Sequence, residues 1–181
     1  MRTFIAIDLP EDVKIYLRNL QDEFLKEKEA GKLFLAKDYH LTLKFLGEID
    51  EVQHAKVNSL LNNVRGKSFT FTLNKFGLFP SRRFPRVLWI GIQPEDDVIL
   101  LQKIIEETLK AEFNQENDFK PHITLARVKF LTDKQLPDKL ASFPVKPLQI
   151  QATAFKLFKS TLTGAGAEYE TLATFPLQTT P

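Results

Sequence analysis

Two short segments of this 181-residue chain place a histidine two positions before a threonine. The first is His40-Leu41-Thr42-Leu43, and the second, 82 positions later, is His122-Ile123-Thr124-Leu125. Side chains on a β-strand alternate between its two faces. As strands, both segments would therefore present an imidazole beside a hydroxyl on one face and two aliphatic side chains on the other.

Paired imidazoles and hydroxyls suit acid–base chemistry on a phosphate ester. The unperturbed pKa of imidazole lies near 6.5, so one histidine can accept a proton while a second, charged histidine donates one. Two hydroxyls beside two imidazoles supply four groups that can donate to the charged oxygens of a phosphoryl group. The pattern therefore predicts catalytic roles for His40, Thr42, His122 and Thr124.

Other interpretations of these residues remain open. The histidines could be partly buried and bonded to neighbouring backbone, and the threonines could be ordinary strand residues. A metal site needs further ligands, and neither motif carries a carboxylate or cysteine at ligand spacing. We expect no metal and no cofactor. His54 has no threonine partner, and we interpret it as a surface or packing residue of a helix.

A basic and aromatic loop follows the first half of the chain. Arg82, Arg83 and Arg86 surround Phe84, a combination that suits phosphate and base contacts with single-stranded nucleic acid. The same residues could simply keep a loop soluble. Tyr39 could flank the site or pack beside it.

Strand alternation separates two further cations. Lys44 shares the face of His40 and Thr42 and is the better candidate for a cation near the site. Arg127 falls on the face opposite His122, so a bulge or a strand end would be needed to bring it to the same site.

The elements that must position the two motifs follow from periodicity and from turn residues. We predict helices at 11–29, 51–64, 94–113 and 132–141, with Asp50 capping the second. Predicted strands cover 3–9, 32–36, 38–46, 67–76, 87–92, 119–128, 145–162 (one long or broken strand) and 168–175, and a loop covers 77–86.

An internal repeat relates the two motifs. The segment 4–12 can be laid on 88–96, so a strand, a Pro-Glu-Asp helix start, a long helix and a His-Thr strand occur twice. We predict one two-lobed domain over 1–181, built from halves at about 1–85 and 86–181. Two such units around a pseudo-twofold axis could bring one motif from each lobe to a central cleft. The expected fold is α+β, with mostly antiparallel sheet and helices outside.

Composition bounds the class of protein. The hydrophobic share of 43% suits a globular chain, and the absence of cysteine excludes disulfides and thiolate metal sites. The apolar run at the N-terminus is too short for a signal peptide or a membrane span. A net charge of +2 is compatible with a nucleic-acid substrate. We expect a cytoplasmic, monomeric protein without a membrane partner.

With both motifs in view, the chain resembles the two-histidine phosphoesterase superfamily. Within it, the chain is most similar to the RNA 2',3'-cyclic phosphodiesterases, also known as 2'-5' RNA ligases. The resemblance covers almost the whole chain and rests on four stretches, which are 2–8, 40–47, 85–89 and 120–127.

The resemblance implies metal-independent opening of a terminal 2',3'-cyclic phosphate on RNA, possible ends being those of tRNA halves, to a 2'-phosphomonoester. It implies His122 as proton acceptor and His40 as proton donor, an order that the near symmetry of the motifs leaves open. Run backwards, the same site would join RNA ends in a 2'-5' linkage without ATP. Two alternatives remain: a phosphodiesterase for another cyclic phosphate or RNA 3' end, and a non-catalytic module that binds RNA ends.

Overall fold

The computed structural model describes residues 1–25, 31–116, 118–164 and 166–179. It has an α+β fold in which helices pack on a mostly antiparallel sheet, as predicted. The helices are α1 (Glu11–Leu25), α2 (Glu51–Leu61), α3 (Asp96–Leu109) and α4 (Leu136–Ser142). The strands are β1 (Arg2–Asp8), β2 (Gly31–Leu35), β3 (His40–Glu48), β4 (Phe69–Phe79), β5 (Val87–Gln93), β6 (Ile123–Leu131), β7 (Gln149–Ala152), β8 (Ala154–Thr163) and β9 (Gly166–Pro176).

The two strands that carry the histidine motifs are neighbours at the centre of the sheet. The strand order is β7-β4-β5-β6-β3-β1-β8-β9, and β2 also pairs with β6. The strand β4, from the first half of the chain, lies on the β6 side, whereas β8 and β9, from the second half, lie on the β3 side. The two sides of the sheet therefore exchange strands between the halves of the sequence.

The main hydrophobic core lies on one face of this sheet. In β1, Ile5 and Ile7 belong to that core together with residues of α1, α2 and α3. Phe4 and Ala6, which alternate with them, form a separate small cluster with Phe158. One face of the central strands therefore holds the helices, and the other is left for the motif side chains.

The helices follow their predicted amphipathic pattern. In α3, Val98, Leu101, Ile105 and Leu109 are buried at helical spacing. At the start of α2 the side chain of Asp50 accepts a hydrogen bond from the backbone of Gln53, which confirms the predicted cap. Within the described residues, no helix combines the length and apolar character that crossing a bilayer requires.

Several predicted boundaries differ from the structure. The strand β4 continues to Phe79, so the predicted loop is wrong over 77–79, where Gly77 pairs with Trp89 and Phe79 with Val87. The absence of a Cβ at Gly77 leaves room for the indole of Trp89, and the strand continues through it. The predicted strand 145–162 breaks into β7 and β8, which lie on opposite sides of the two motif strands in the sheet order. The predicted end of the first helix, 26–29, lies outside the described residues.

Candidate active site

A single antiparallel contact joins the two histidine motifs. Leu41 of β3 pairs with Ile123 of β6, so one step along each strand sets His40 opposite Thr124, and one step the other way sets Thr42 opposite His122. The aliphatic residues of both motifs are buried in the core, whereas the four polar residues are only half-buried. The register therefore gathers both imidazoles and both hydroxyls on one face of the sheet.

Each motif strand contains a register shift just after its threonine. Ala6 pairs with Thr42, but the preceding Ile5 pairs with Lys44. In the other lobe, Trp89 pairs with Thr124, but Leu88 pairs with Ala126. One extra residue thus bulges from each strand, at positions 43 and 125, which are 82 apart like the motifs themselves. Such a bulge resets which face the following side chains occupy.

The bulge in β6 returns Arg127 to the site. This residue is exposed and lines the same cavity as His40, Thr42 and Thr124. Simple alternation places Arg127 on the face opposite His122, and the bulge in β6 brings it to the same face.

The bulge in β3 has the reverse effect on Lys44. Its side chain is only 3% exposed, and its Nζ lies 2.6 Å from Glu106 Oε2. The same ammonium group donates to the carbonyl of Asn114 at 2.8 Å. The structure therefore holds Lys44 against α3, outside the cavities beside the motifs, and not on the face of His40 as alternation predicted.

Two cavities meet at the motif face. The first, of about 410 Å³, is lined by His40, Thr42, Thr124 and Arg127 among others. The second, of about 390 Å³, is lined by Thr42, His122 and residues before β6. Thr42 and Phe45 line both. The cleft therefore extends to both sides of the four motif residues.

Aromatic rings pack around the imidazole of His40. Its ring centroid is 4.7 Å from that of Phe4, 6.1 Å from Phe158 and 5.0 Å from Tyr169. Burial lowers the pKa of His40 to about 4, although the carboxylates of Asp38 and Asp8 act in the opposite direction. Lys14 and His122 lower this pKa further. In the protein alone the neutral imidazole is therefore the favoured form.

His122 has a different set of neighbours. Its ring packs edge-on against Phe79 at 5.0 Å and lies 6.1 Å from Trp89. Burial lowers the pKa of His122, the carbonyl of Lys120 raises it, and the charges of Arg127 and Lys120 lower it. Because His122 Nδ1 lies 2.7 Å from that carbonyl, which can only accept, Nδ1 carries the hydrogen and Nε2 holds the lone pair.

The basic loop lies beside the site and not in it. Arg82 Nη1 is 3.6 Å from Asp138 Oδ1, the guanidinium of Arg83 lies 5.3 Å from the centre of the Phe84 ring, and Arg86 Nη1 donates to the carbonyl of Lys129 at 3.4 Å. All three arginines and Phe84 are exposed, and none of them lines either cavity.

Tyr39 packs into the core. It is 1% exposed, and its buried hydroxyl has no hydrogen-bond partner among the residues that the structure describes. Burial raises the pKa of Tyr39 to about 12. His54, the third histidine, is half-buried in α2 away from both cavities.

Sequence reasoning missed several residues of the cleft. Phe45 is 57% exposed and lines both cavities. It stands 82 positions before Arg127, so the repeat could have identified the two as equivalents. Arg2, Phe34 and Tyr169 also line the first cavity, but they come from β1, β2 and β9, and no local pattern connects them to the motifs. Among the described residues, no group of three or more His, Cys, Asp or Glu side chains is arranged to hold a metal ion.

Comparison with known proteins relates this geometry to one family. The family model described as LigT like Phosphoesterase matches residues 7–89 and again residues 90–169. Among curated proteins, the RNA 2',3'-cyclic phosphodiesterase of Thermotoga maritima is 38% identical over 178 residues, which cover 95% of this chain and 93% of that protein. The Methanocaldococcus jannaschii protein of the same name is 35% identical, with coverage of 95% and 98%.

A solved structure shares the fold over nearly its whole length. The crystal structure of Escherichia coli LigT in apo form superimposes with a TM-score of 0.74 at 29% identity, covering 98% of this chain and 97% of that one. The same protein complexed with 3'-AMP gives a TM-score of 0.73 at 28% identity, covering 98% of each chain.

Proposed function

The chain belongs to the LigT-like phosphoesterase family, and on that basis we propose that it hydrolyses the terminal 2',3'-cyclic phosphate of RNA to a 2'-phosphomonoester, using two histidines and no metal ion. The observation that carries this proposal is the pairing of Leu41 with Ile123, which gathers the two imidazoles and two hydroxyls on one face.

The proposed reaction is an in-line displacement at phosphorus. A water oxygen bonds to phosphorus opposite the 3'-oxygen, and the bond from phosphorus to that 3'-oxygen breaks. His122 Nε2 takes the proton of the water, and a charged His40 gives its proton to the departing 3'-oxygen. The products are a 2'-phosphate and a free 3'-hydroxyl, and the two histidines then exchange protons with solvent to regain their starting forms.

The hydrogen bonding of His122 supports its role as the base. Its Nδ1 donates to the carbonyl of Lys120, so the neutral ring keeps an unshared electron pair on Nε2. That bond also fixes the orientation of the ring. A base that is held in one tautomer loses no time or free energy to reorientation before it takes the proton.

Binding of the charged substrate would favour the protonated form of His40, the form that the proposed acid requires. The pKa of His40 is about 4 in the empty cleft because the ring is buried. A bound phosphodiester anion favours the imidazolium form and raises this pKa. In our proposal Thr42, Thr124 and Arg127, which share a cavity with His40, hold the non-bridging oxygens of that anion.

The relatives support the choice of substrate. Curated relatives at 38% and 35% identity are named RNA 2',3'-cyclic phosphodiesterase. The Escherichia coli protein of the same fold has been solved with 3'-AMP, a ribonucleotide with a phosphate on its sugar. The reverse reaction, which joins a 2',3'-cyclic phosphate to a 5'-hydroxyl, would use the same groups with their roles exchanged, and we include it in the proposal. The use of tRNA halves, a cytoplasmic location and a monomeric state stay predictions of the sequence.

The test is product analysis on a defined RNA. We would incubate the purified protein, in EDTA, with a short RNA that ends in a 2',3'-cyclic phosphate, and identify the phosphate position by NMR. His40→Ala and His122→Ala are the matched variants, and His54→Ala is the control for losing a histidine elsewhere. A second RNA with a 5'-hydroxyl tests ligation.

We expect a 2'-phosphate from the wild type and from His54→Ala, and a loss of at least about 10²-fold in kcat in each of the other two variants. Activity that EDTA removes would contradict the metal-free mechanism. A 3'-phosphate product would mean that the 2'-oxygen leaves. Binding of the RNA without turnover would favour the non-catalytic module.

A further inference from the structure

The two lobes carry opposite charges at equivalent positions beside their histidines. Asp38 stands two residues before His40, and Lys120 stands two residues before His122. In the strand register, Asp8 of β1 lies opposite His40. In β5, Ile90 lies opposite Ile123. The next residue of β5, which corresponds to Asp8, is the uncharged Gly91. The pseudo-symmetry of the motifs thus ends at their charged neighbours.

The geometry points to Asp38 and Lys120 as positioning residues that make the two histidines unequal: Asp38, with Asp8, favours a charged His40, and Lys120 favours a neutral His122. This inference rests on the proposed function and deepens it, because it gives a physical reason for the direction of proton transfer.

The carboxylates near His40 are fixed in place. Lys14 Nζ lies 2.8 Å from Asp8 Oδ1 and 2.9 Å from Asp38 Oδ1, so one ammonium group bridges both. Lys156 Nζ lies 2.6 Å from the other oxygen of Asp8. The backbone N–H of Tyr39 donates to Asp38 at 2.9 Å. Asp38 also lines the cavity of His40.

The charges around His40 come from several elements. The charged and titratable groups are Asp8 on β1, Lys14 on α1, Asp38 before β3, Lys156 on β8 and His122 across the cleft, and the uncharged phenol of Tyr169 on β9 packs against the ring. Asp38 and then Asp8 act most strongly on its titration after burial itself. Their negative charge favours the imidazolium form.

The ammonium group of Lys120 lies over aromatic rings that also pack against His122. Lys120 Nζ lies 4.9 Å from the centre of the Trp89 ring and 5.9 Å from that of Phe79. Both rings pack against His122. Glu116 and Asp118 line the same cavity, but the charges that act on His122 are those of Arg127 and Lys120, both positive. Positive charge favours the neutral imidazole, the form that a base needs.

The test is an NMR titration of the three histidine rings in the free protein, which needs neither substrate nor activity. Replacing Asp38 by Asn should lower the titration midpoint of His40 by about half a unit to one unit and leave that of His122 in place. The Lys120→Met variant should raise the midpoint of His122 by a similar amount and leave His40 in place. Asp38→Glu should restore the His40 midpoint. Asp12→Asn and Lys129→Met, changes at exposed positions outside both cavities, are the controls.

Kinetics separate the charge effect from a structural one. At a pH above the alkaline limb, Asp38→Asn should lower kcat about three- to tenfold without raising KM, since removing a negative charge from the cavity does not weaken binding of an anion. Unchanged midpoints in either variant would overturn the inference, and so would shifted midpoints with an unchanged kcat. Failure of the wild type to open the cyclic phosphate would instead refute the proposed function, because the midpoints are measured without substrate.

Discussion

His40 and His122 share a sequence motif but differ in their surroundings. His40 is packed among Phe4, Phe158 and Tyr169, and burial lowers its pKa to about 4. His122 donates a hydrogen bond from Nδ1 to the backbone carbonyl of Lys120, and burial lowers its pKa as well. In the proposed mechanism one ring must be charged and the other neutral, so we expect these shifts to set the pH dependence of activity in the free protein.

The first prediction concerns the pH dependence of kcat/KM. Both histidines titrate below 6.5 in the free protein, so both limbs of a bell-shaped kcat/KM profile should lie below 6.5. Above the upper limb, the fraction of molecules with one charged ring falls, and kcat/KM should decrease about tenfold per pH unit. The kcat profile should lie at higher pH, because a bound phosphodiester raises both pKa values. Initial rates in EDTA across the pH range, with circular dichroism to verify folding, measure this. An alkaline limb of kcat/KM above 7 would contradict it.

The second prediction concerns the two hydroxyls. Replacing Thr42 or Thr124 by Val keeps the shape of the side chain and removes the donor that we assign to a phosphate oxygen. Each variant should lose about 10²-fold in kcat, the typical effect of removing one donor to a developing charge. Thr70→Val, at an exposed strand position, should have no effect. Full activity in both motif variants would reduce the threonines to ordinary strand residues.

At the scale of elements, the two bulges decide which side chains reach the cleft. They occur at equivalent places in β3 and β6. After the bulge in β6 comes Arg127, which lines a cavity, and after the bulge in β3 comes Phe45, which lines both. The residues just before them, Lys44 and Ala126, are buried. The same backbone device therefore supplies one cation and one aromatic ring to the site.

The third prediction concerns Lys44. Its buried ion pair with Glu106 connects β3 to α3, and removing one partner leaves a buried charge uncompensated. Lys44→Met should therefore lower the free energy of unfolding by about 3–5 kcal/mol, and replacing Glu106 by Met as well should recover part of that loss. Chemical denaturation measures both changes. Lys103→Met, on the exposed face of α3, is the control. A stable Lys44→Met variant with a raised KM would instead make Lys44 a substrate contact.

The fourth prediction concerns Gly77. A Cβ at this position would lie 2.0 Å from the indole of Trp89, whereas a Cβ at Gly164 would meet no atom of the described part of the chain within 4 Å. Gly77→Ala should therefore cost roughly 1–3 kcal/mol of stability. Because the indole packs against His122, kcat should fall as well. Gly164→Ala should change neither quantity. Thermal unfolding and initial rates test this, and an unaffected Gly77→Ala variant would show that the indole can move freely.

At the scale of the whole molecule, charge lies both in the cleft and on the loop beside it. Arg127 lines the first cavity, while Arg82, Arg83 and Arg86 are exposed outside both cavities. In the proposed function a terminal cyclic phosphate occupies only the cleft. We therefore expect the loop to contact an RNA only where the RNA is long enough to extend out of the cleft.

The fifth prediction follows from that separation. Replacing Arg82, Arg83 and Arg86 together by Gln should raise KM about tenfold for a long single-stranded RNA and leave KM unchanged for a 2',3'-cyclic mononucleotide. The slope of log KM against log salt should decrease by up to about 2, since each phosphate contact contributes roughly 0.7 for single strands. Kinetics at several salt concentrations measure both effects.

The control for the loop variant is the same substitution at three exposed lysines, Lys56 in α2, Lys103 in α3 and Lys110 just after α3. That variant removes equal charge from other surfaces and should leave both KM and its salt dependence in place. Equal effects in the two variants would mean that net charge acts, and not the loop. No effect in either would leave the loop a role in solubility alone.

The amino-acid sequence was sufficient to predict the candidate catalytic residues and the class of fold. The types and spacing of His40, Thr42, His122 and Thr124 are local, and strand alternation is enough to set each histidine beside its threonine. Helical periodicity and the repeat were enough to predict an α+β fold with antiparallel sheet. These features can be predicted from the sequence because they depend on residues that are close together along the chain.

The other residues of the candidate site could be identified only from the folded structure. The two bulges reversed the faces of Lys44 and Arg127, because one extra residue in a strand exchanges inside for outside and leaves no mark in the sequence. The aromatic rings that pack around His40 belong to β1, β8 and β9, which are distant from His40 in sequence. Burial and charge, and with them the inequality of the two histidines, depend on contacts that long-range strand pairing creates.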